Sequence, residues 1–229
     1  FIAKGLFKTT IAVGWARFQY QQKRATWRPG FIFWPLLEKL VASKVQQRLG
    51  GNMRFIITGG APLSQQVSKL FIGLGQMILQ GYGLTETSPV ISVNEINNNY
   101  PSSVGRPLPG ITAKIGDNDE LLVQGPGNMM GYWNNHKATA QTIDSESWLH
   151  TGDQARLDDS GHIYITGRLK DILVLSNGEK VPPSDLESAI LMDDIFDQAL
   201  VVGEGESYLT ALLVLNSEHW FVLAQHHQL

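Results

Sequence analysis

Apolar residues recur along this chain first at helical spacing and then at strand spacing. Ile2, Leu6, Ile11, Trp15 and Phe18 mark a helical face within residues 1–22. Leu36, Leu37, Leu40, Val41 and Val45 mark one side of a second helix over Pro35–Leu49, which Gly50-Gly51 ends. Arg54–Thr58 is a short β-branched strand, followed by the loop Gly59-Gly60-Ala61-Pro62. Ser64 then caps a helix running to about Leu74, with Val67, Leu70, Phe71 and Leu74 inward. Gly75 closes it, and Met77–Gln80 is the next strand. A β-loop-α-β unit predicts a parallel pair. Ligands of such sheets sit beyond the carboxyl ends of the strands. The Gly59–Pro62 loop and Gly81-Tyr82-Gly83 both fall at such ends.

After Pro89 the texture changes. Strand-length segments at Ile111–Ile115, Glu120–Gln124, Gln154–Leu157 and His162–Thr166 alternate with Gly, Pro and Asn clusters, the pattern of a β-meander or small barrel. His136–Thr142 predicts one or two helical turns, and Asn97-Asn98-Asn99 a short polar loop. From Asp171 a third texture begins. It has a strand Ile172–Leu175, a turn at Asn177-Gly178, a helix from Ser184 to about Leu191, and strands at Ala199–Val202 and Leu209–Leu215. A boundary is therefore expected near Lys170, dividing residues 1–169 from 170–229. The expected fold combines part of a parallel α/β sheet, a small barrel-like β subdomain and a small α+β C-terminal domain.

Composition narrows the function classes. The chain has 229 residues, 43% of them hydrophobic, and a net charge of −3, so it does not bind nucleic acid by overall electrostatics. It has no cysteine. That excludes a disulfide framework, a cysteine metal site and a protein thiol nucleophile. It fits a reducing, cytoplasmic setting. No apolar run approaches the ~20 residues needed to span a bilayer. Lys4, Lys8, Arg17, Lys23, Arg24 and Arg28 are the only charged residues before Glu38. Two readings of residues 1–28 stand: a helix packed on its own domain with a solvated basic side, or peripheral contact with anionic lipid. The six histidines form no metal-site pattern, and His219, His226 and His227 are expected to follow a helix end.

The densest chemistry lies in Gln80-Gly81-Tyr82-Gly83-Leu84-Thr85-Glu86-Thr87-Ser88-Pro89. Glycines admit a ligand close to the backbone. The Tyr82 ring can cover a flat base, the Thr85 hydroxyl can bond an anion, and Glu86 can offer oxygen to magnesium. Adenine, phosphate and magnesium together describe ATP. Read alone, the same run is a strand-to-loop bend with a capping Thr. Three downstream segments suit the same ligand. In Trp148-Leu149-His150-Thr151-Gly152-Asp153, Asp153 can accept bonds from a ribose diol. In Gly167-Arg168-Leu169-Lys170-Asp171, Arg168 can reach ribose or phosphate. Ser176-Asn177-Gly178-Glu179-Lys180-Val181-Pro182-Pro183 is a loop leading into a helix.

Together these segments resemble the adenylate-forming superfamily of acyl-CoA synthetases, luciferases and peptide-synthetase adenylation domains. The resemblance runs from about residue 35 to about residue 190. It is nearest to long-chain fatty acyl-CoA synthetases, on Arg54–Leu63, on Pro126-Gly127-Asn128-Met129-Met130-Gly131-Tyr132-Trp133 and on the Asn177–Pro183 loop. It implies that Tyr82 and the Gly59–Pro62 loop sandwich adenine, with Gln80, Gly81 and Gly83 framing the same site. Thr85 contacts phosphate and Glu86 holds Mg2+. Asp153 and Arg168 bind ribose. Lys170 is the hinge between a large and a small domain, and the loop at Gly178 lines the route of coenzyme A.

The implied reaction joins a fatty acid to coenzyme A, or to the phosphopantetheine arm of an acyl carrier protein. A carboxylate oxygen attacks the α-phosphorus of ATP and pyrophosphate leaves. A thiol then attacks the acyl-adenylate and AMP leaves. The family's upstream phosphate loop and its C-terminal catalytic lysine are not among these residues, the last lysine being Lys180. The chain is therefore expected to be a central-to-C-terminal fragment, inactive alone. A nucleotide-binding module without turnover is the alternative from another class.

Overall fold

The computed structural model describes residues 2–61 and 63–227. Pro62, the last residue of the expected adenine loop, lies outside the described residues. Packing divides the chain into two units. The first takes residues up to 115, 122–151 and 156–165. The second takes 116–121, 152–155 and everything from 166 on.

The first unit opens with α1 (Ile2–Gln21). Phe18 is buried and Trp15 half-buried, in a cluster with Ile72 and Ile78, so α1 is a helix packed on its own domain. Among the described residues no helix is long and apolar enough to cross a membrane. The expected single helix over Pro35–Leu49 is instead α2 (Trp34–Leu37), a π-helical stretch Glu38–Ala42 and α3 (Ser43–Arg48). Its covered stripe is Leu37, Val41 and Val45; Leu36 and Leu40, expected on the same side, are exposed. A stripe at i, i+4 and i+8 is narrower than the run of apolar residues that supplies it. Gly50 and Gly51 end it with φ of 95° and 76°, where a left-handed stop favours glycine.

β1 (Phe55–Thr58), α4 (Gln65–Gly73) and β2 (Met77–Gly83) form the expected β-α-β unit. β1 and β2 run parallel, from Phe55 opposite Met77 to Thr58 opposite Gln80. Ser64 caps α4, its hydroxyl accepting from the Val67 N–H at 3.2 Å. Of the expected inward face of α4, Leu74 is buried and Leu70 and Phe71 are half-buried, but Val67 is exposed, and Ser68 and Ile72 are buried as well. α1 approaches α4 closely. A Cβ on Gly14 would lie 1.9 Å from the Gly73 carbonyl oxygen, so the helices cross where small residues let backbones meet.

β2 is longer than expected. Gly81–Gly83 stay in the strand because they pair antiparallel with β3 (Val90–Val93), which pairs in turn with β4 (Arg106–Pro107). The sheet order is β1-β2-β3-β4. The Asn97–Asn99 loop is not simply solvated. Asn99 is fully buried and its amide donates to the Ile78 carbonyl at 2.8 Å, occupying a backbone acceptor.

β5 (Thr112–Ile115), β6 (Glu120–Gln124), β7 (Leu149–Leu157) and β8 (Ile163–Arg168) make a second four-stranded sheet in that order, its residues divided between the two units. Leu121, Val123, Leu149 and Ile163 are wholly buried in it. Before β7 comes α5 (His136–Thr142), capped by Asn135.

In the second unit, β9 (Leu173–Val174) and β10 (Lys180–Val181) pair antiparallel around the Asn177-Gly178 turn. α6 (Pro183–Ile190) follows, then the antiparallel pair β11 (Phe196–Val202) and β12 (Thr210–Leu215), and α7 (Ser217–His227). The three C-terminal histidines lie within α7 rather than after a helix end. Asn216 starts that helix by accepting from the His219 N–H at 3.0 Å.

Candidate functional site

In the first unit the parallel register sets Gly59 beside Gly81: a Cβ on Gly59 would lie 3.1 Å from the Gly81 carbonyl oxygen. Gly60 continues the loop with a φ of 85°, and Ala61 is exposed. Gln80 is buried, and its amide donates to the Pro101 carbonyl. That side chain fixes the loop behind the strand. Tyr82 is half-buried in the strand opposite Ser92. Gly83 admits no side chain, since a Cβ there would sit 1.7 Å from the Pro89 carbonyl oxygen.

The chain then makes one 3-10 turn over Thr85–Thr87. Thr87 is buried and closes the turn, its hydroxyl accepting from the Leu84 N–H at 3.0 Å and lying 2.9 and 3.0 Å from the Leu84 and Pro89 carbonyls. Thr85 is left exposed and Glu86 half-buried. The Gly127–Trp133 segment lies against this turn. A Cβ on Gly127 would be 2.6 Å from the Thr87 carbonyl oxygen, and the Met129 N–H donates to the Glu86 carbonyl at 2.8 Å. The Tyr132 hydroxyl donates to Glu86 Oε1 at 2.9 Å. That bond to Glu86, with burial second, raises the Tyr132 phenol above its ordinary range. Thr87 and Tyr132 were not among the sequence-predicted site residues. The signal for Tyr132 was an aromatic directly after Gly131, in a segment already singled out by resemblance.

In the second unit, β7 carries Gly152 and Asp153 and β8 ends in Arg168. Arg168 Nε donates to Asp153 Oδ1 at 2.9 Å, with the Asp153 side chain 4% exposed and that of Arg168 63% exposed. Strand β6 holds the neighbourhood in place, since Glu120 Oε1 accepts from the Gly152 N–H at 2.9 Å. The Leu169 N–H donates to the Gly152 carbonyl at 2.9 Å. Lys170 is exposed in the turn after β8. Gly178 takes a φ of 83° at the tip of the β9–β10 hairpin, with open space where a Cβ would be.

These groups offer one anchored carboxylate beside a hydroxyl, and a buried carboxylate holding an exposed guanidinium. Among the described residues no three His, Asp or Glu side chains gather as a metal cage. A lone carboxylate such as Glu86 suits magnesium, which keeps most of its ligands from phosphate and water. The left-handed Gly60 loop beside Gly81 is of the kind that admits a ligand to backbone.

A family model described as AMP-binding enzyme matches residues 26–133, and one described as AMP-binding enzyme C-terminal domain matches residues 170–227. The long-chain-fatty-acid–CoA ligase FadD15 of Mycobacterium bovis is 37% identical over 183 residues, which cover 80% of this chain and 30% of that protein. The long-chain-fatty-acid–CoA ligase ACSBG1 of Rattus norvegicus is 39% identical over 188 residues, covering 79% and 26%. Among solved structures, O-succinylbenzoate coenzyme A synthetase from Bacillus subtilis, in complex with ATP and magnesium ion, matches with a TM-score of 0.64 at 26% identity. It covers 75% of this chain and 40% of that one. The chain thus spans about 30% of the length of the curated relatives it matches.

Proposed function

This chain belongs to the family of AMP-binding, adenylate-forming enzymes, and on that premise we propose that it is the part of a fatty acyl-CoA ligase that holds the nucleotide. Relatives 37% and 39% identical to this chain are named as long-chain fatty-acid–CoA ligases, which supports a fatty carboxylate as the acid and coenzyme A as the thiol. The activity proposed is that of the whole protein, since the chain spans about 30% of the length of those relatives.

The reaction has two displacements. A carboxylate oxygen of the acid bonds to the α-phosphorus of ATP, and the bond to pyrophosphate breaks. The coenzyme A thiol, losing its proton, then bonds to the acyl carbon, and AMP leaves with the bonding electrons. Both steps are governed by position and by charge on phosphate oxygens. Magnesium, when bound, neutralises part of that charge.

The chain's residues would do the following. The Gly59–Pro62 loop and Tyr82 take the two sides of adenine. Thr85 donates its hydroxyl to phosphate, and Glu86 holds the metal. Tyr132 restrains the Glu86 carboxylate, and the Met129 N–H restrains its backbone. Asp153 orients Arg168, and the two bind the ribose. Residues 1–169 and 170–229 act as large and small domains hinged at Lys170, with the Gly178 turn on the thiol's route.

The observation that carries this reading is Glu86 tethered at both its carbonyl and its carboxylate, next to an exposed hydroxyl, on a turn only glycine at 83 permits. The test uses the intact protein. Pyrophosphate release is followed with acids of several chain lengths, then AMP release on adding coenzyme A. Fatty-acid-dependent pyrophosphate release that falls at least tenfold in Glu86→Gln is expected. No acid-dependent release, or full activity in Glu86→Gln, would end the proposal.

A further inference from the structure

A cavity of about 390 Å³ opens in the first unit among α1, the start of α4 and the Tyr100 loop. None of the residues proposed above for nucleotide, metal or thiol lines it. Its walls carry two cations, Arg24 and Lys69, with the neutral amides of Gln65 and Gln66 and the rings of Trp15 and Tyr100. No aspartate or glutamate is among the lining residues.

Both cations lack a counter-charge. Among the described residues neither Arg24 nor Lys69 forms an ion pair. Arg24 donates to the Asn99 carbonyl at 2.6 Å, and its guanidinium lies 4.2 Å over the Tyr100 ring. Its Nε is shielded from solvent and has no hydrogen-bond partner. Burial pulls the guanidinium below its ordinary range, and only the phenols of Tyr100 and Tyr164 oppose that. Gln65 and Gln66 open α4, where backbone N–H groups have no partner within the helix. The cavity therefore supplies donors from several directions, fixed positive charge, and no acidic group.

We infer that this cavity binds a phosphate-bearing ligand, with Arg24 and Lys69 as its cationic contacts. A tetrahedral oxyanion uses donors from several sides and pairs well with the guanidinium fork. A cationic ligand would meet two uncompensated positive charges. Two sources share this chemistry: a free phosphate compound and a lipid headgroup. The basic side chains Lys23 and Arg28 beside Arg24 in sequence suit either.

The experiment titrates inorganic pyrophosphate into the intact protein by calorimetry at low salt. In parallel it floats the protein with phosphatidylcholine vesicles, with and without phosphatidic acid. One probe should bind saturably. That binding should weaken about tenfold in Lys69→Gln, the loss of one charge-assisted contact, and weaken with added salt. It should persist in Glu86→Gln, which separates it from the metal-binding residue of the proposed reaction. Arg24→Gln also removes contacts to Asn99 and Tyr100, so exposed Lys69 on α4 is the variant that decides. Loss of pyrophosphate binding identifies a soluble ligand, and loss of vesicle binding a lipid one. The inference is overturned if neither probe binds, or if Lys69→Gln binds both as tightly as the unaltered protein.

Discussion

The Tyr132 hydroxyl donates to Glu86 Oε1 at 2.9 Å, joining residues 46 positions apart in sequence. Glu86 is thereby aimed by a side chain from another loop. Removing only the hydroxyl, in Tyr132→Phe, should slow acid-dependent pyrophosphate release roughly three- to tenfold and raise the magnesium needed for half-maximal rate. Tyr132 is 38% exposed, so the fold should tolerate the change. An unchanged magnesium dependence in steady-state assays would show that Tyr132 does not position Glu86.

Asp153 is buried and Arg168 reaches out from it, bonded at 2.9 Å. Arg168→Ala should raise KM for ATP, with a stability cost of only about 1 kcal/mol, because the guanidinium end is exposed and screened. Asp153→Ala should cost more in stability, since it empties a buried position. Chemical denaturation together with ATP titration separates the two effects. Equal ATP affinity in Arg168→Ala and the unaltered protein would remove Arg168 from the nucleotide site.

At the crossing of α1 and α4, a Cβ on Gly14 would lie 1.9 Å from the Gly73 carbonyl oxygen, and one on Gly73 would lie 2.6 Å from the Ile11 carbonyl oxygen. Both obstacles are backbone, so neither can swing aside. Gly14→Ala and Gly73→Ala should each destabilise the protein by about 1–3 kcal/mol or more through overpacking. Gly5→Ala on the same helix, with nothing within 4 Å, should be neutral or slightly stabilising. Urea midpoints for the three variants check this, and Gly14→Ala as stable as Gly5→Ala would contradict the close crossing.

Asp158 gathers hydrogen bonds from the Ser160 hydroxyl at 2.7 Å, the Ser160 and His162 N–H groups at 3.0 and 2.9 Å, and the Tyr164 hydroxyl at 3.0 Å. Burial pushes its carboxyl upward, but these donors outweigh it and lower the pKa from 3.8 to about 2. A depressed folded-state pKa means the carboxylate stabilises the fold fully above 3.8, and that this stabilisation is lost as pH falls from there through about 2. Asp158→Asn should lower the thermal midpoint near neutral pH, and the deficit should shrink across that acid window. A deficit constant from neutral pH down to about pH 2 would mean the carboxylate charge is not what the donors hold.

The elements legible in the sequence are those whose signals are local. Ser64 starts α4 because its own hydroxyl can reach the Val67 N–H, and Gly50-Gly51 stop α3 because their backbone can turn left-handed. His136–Thr142 is helical as expected, with Asn135 capping it. The elements that were not legible depend on distant partners. Gly81–Gly83 remain strand only because β3 lies alongside. Gly73 sits where the α1 and α4 backbones meet, and Ser68 on the same helix is buried while Val67 is exposed. Asn99 looks like solvated loop until the Ile78 carbonyl needs a donor.

The same division holds for the candidate site. By itself the sequence determined the family and which residue types stand at each strand end, since short-range motifs carry their own chemistry. The tertiary structure alone decided which side chains hold those residues: Tyr132 on Glu86 and Arg168 on Asp153. A hydrogen bond is decided by atoms within about 3 Å of each other, and residues far apart in the chain come that close only once the backbone has folded.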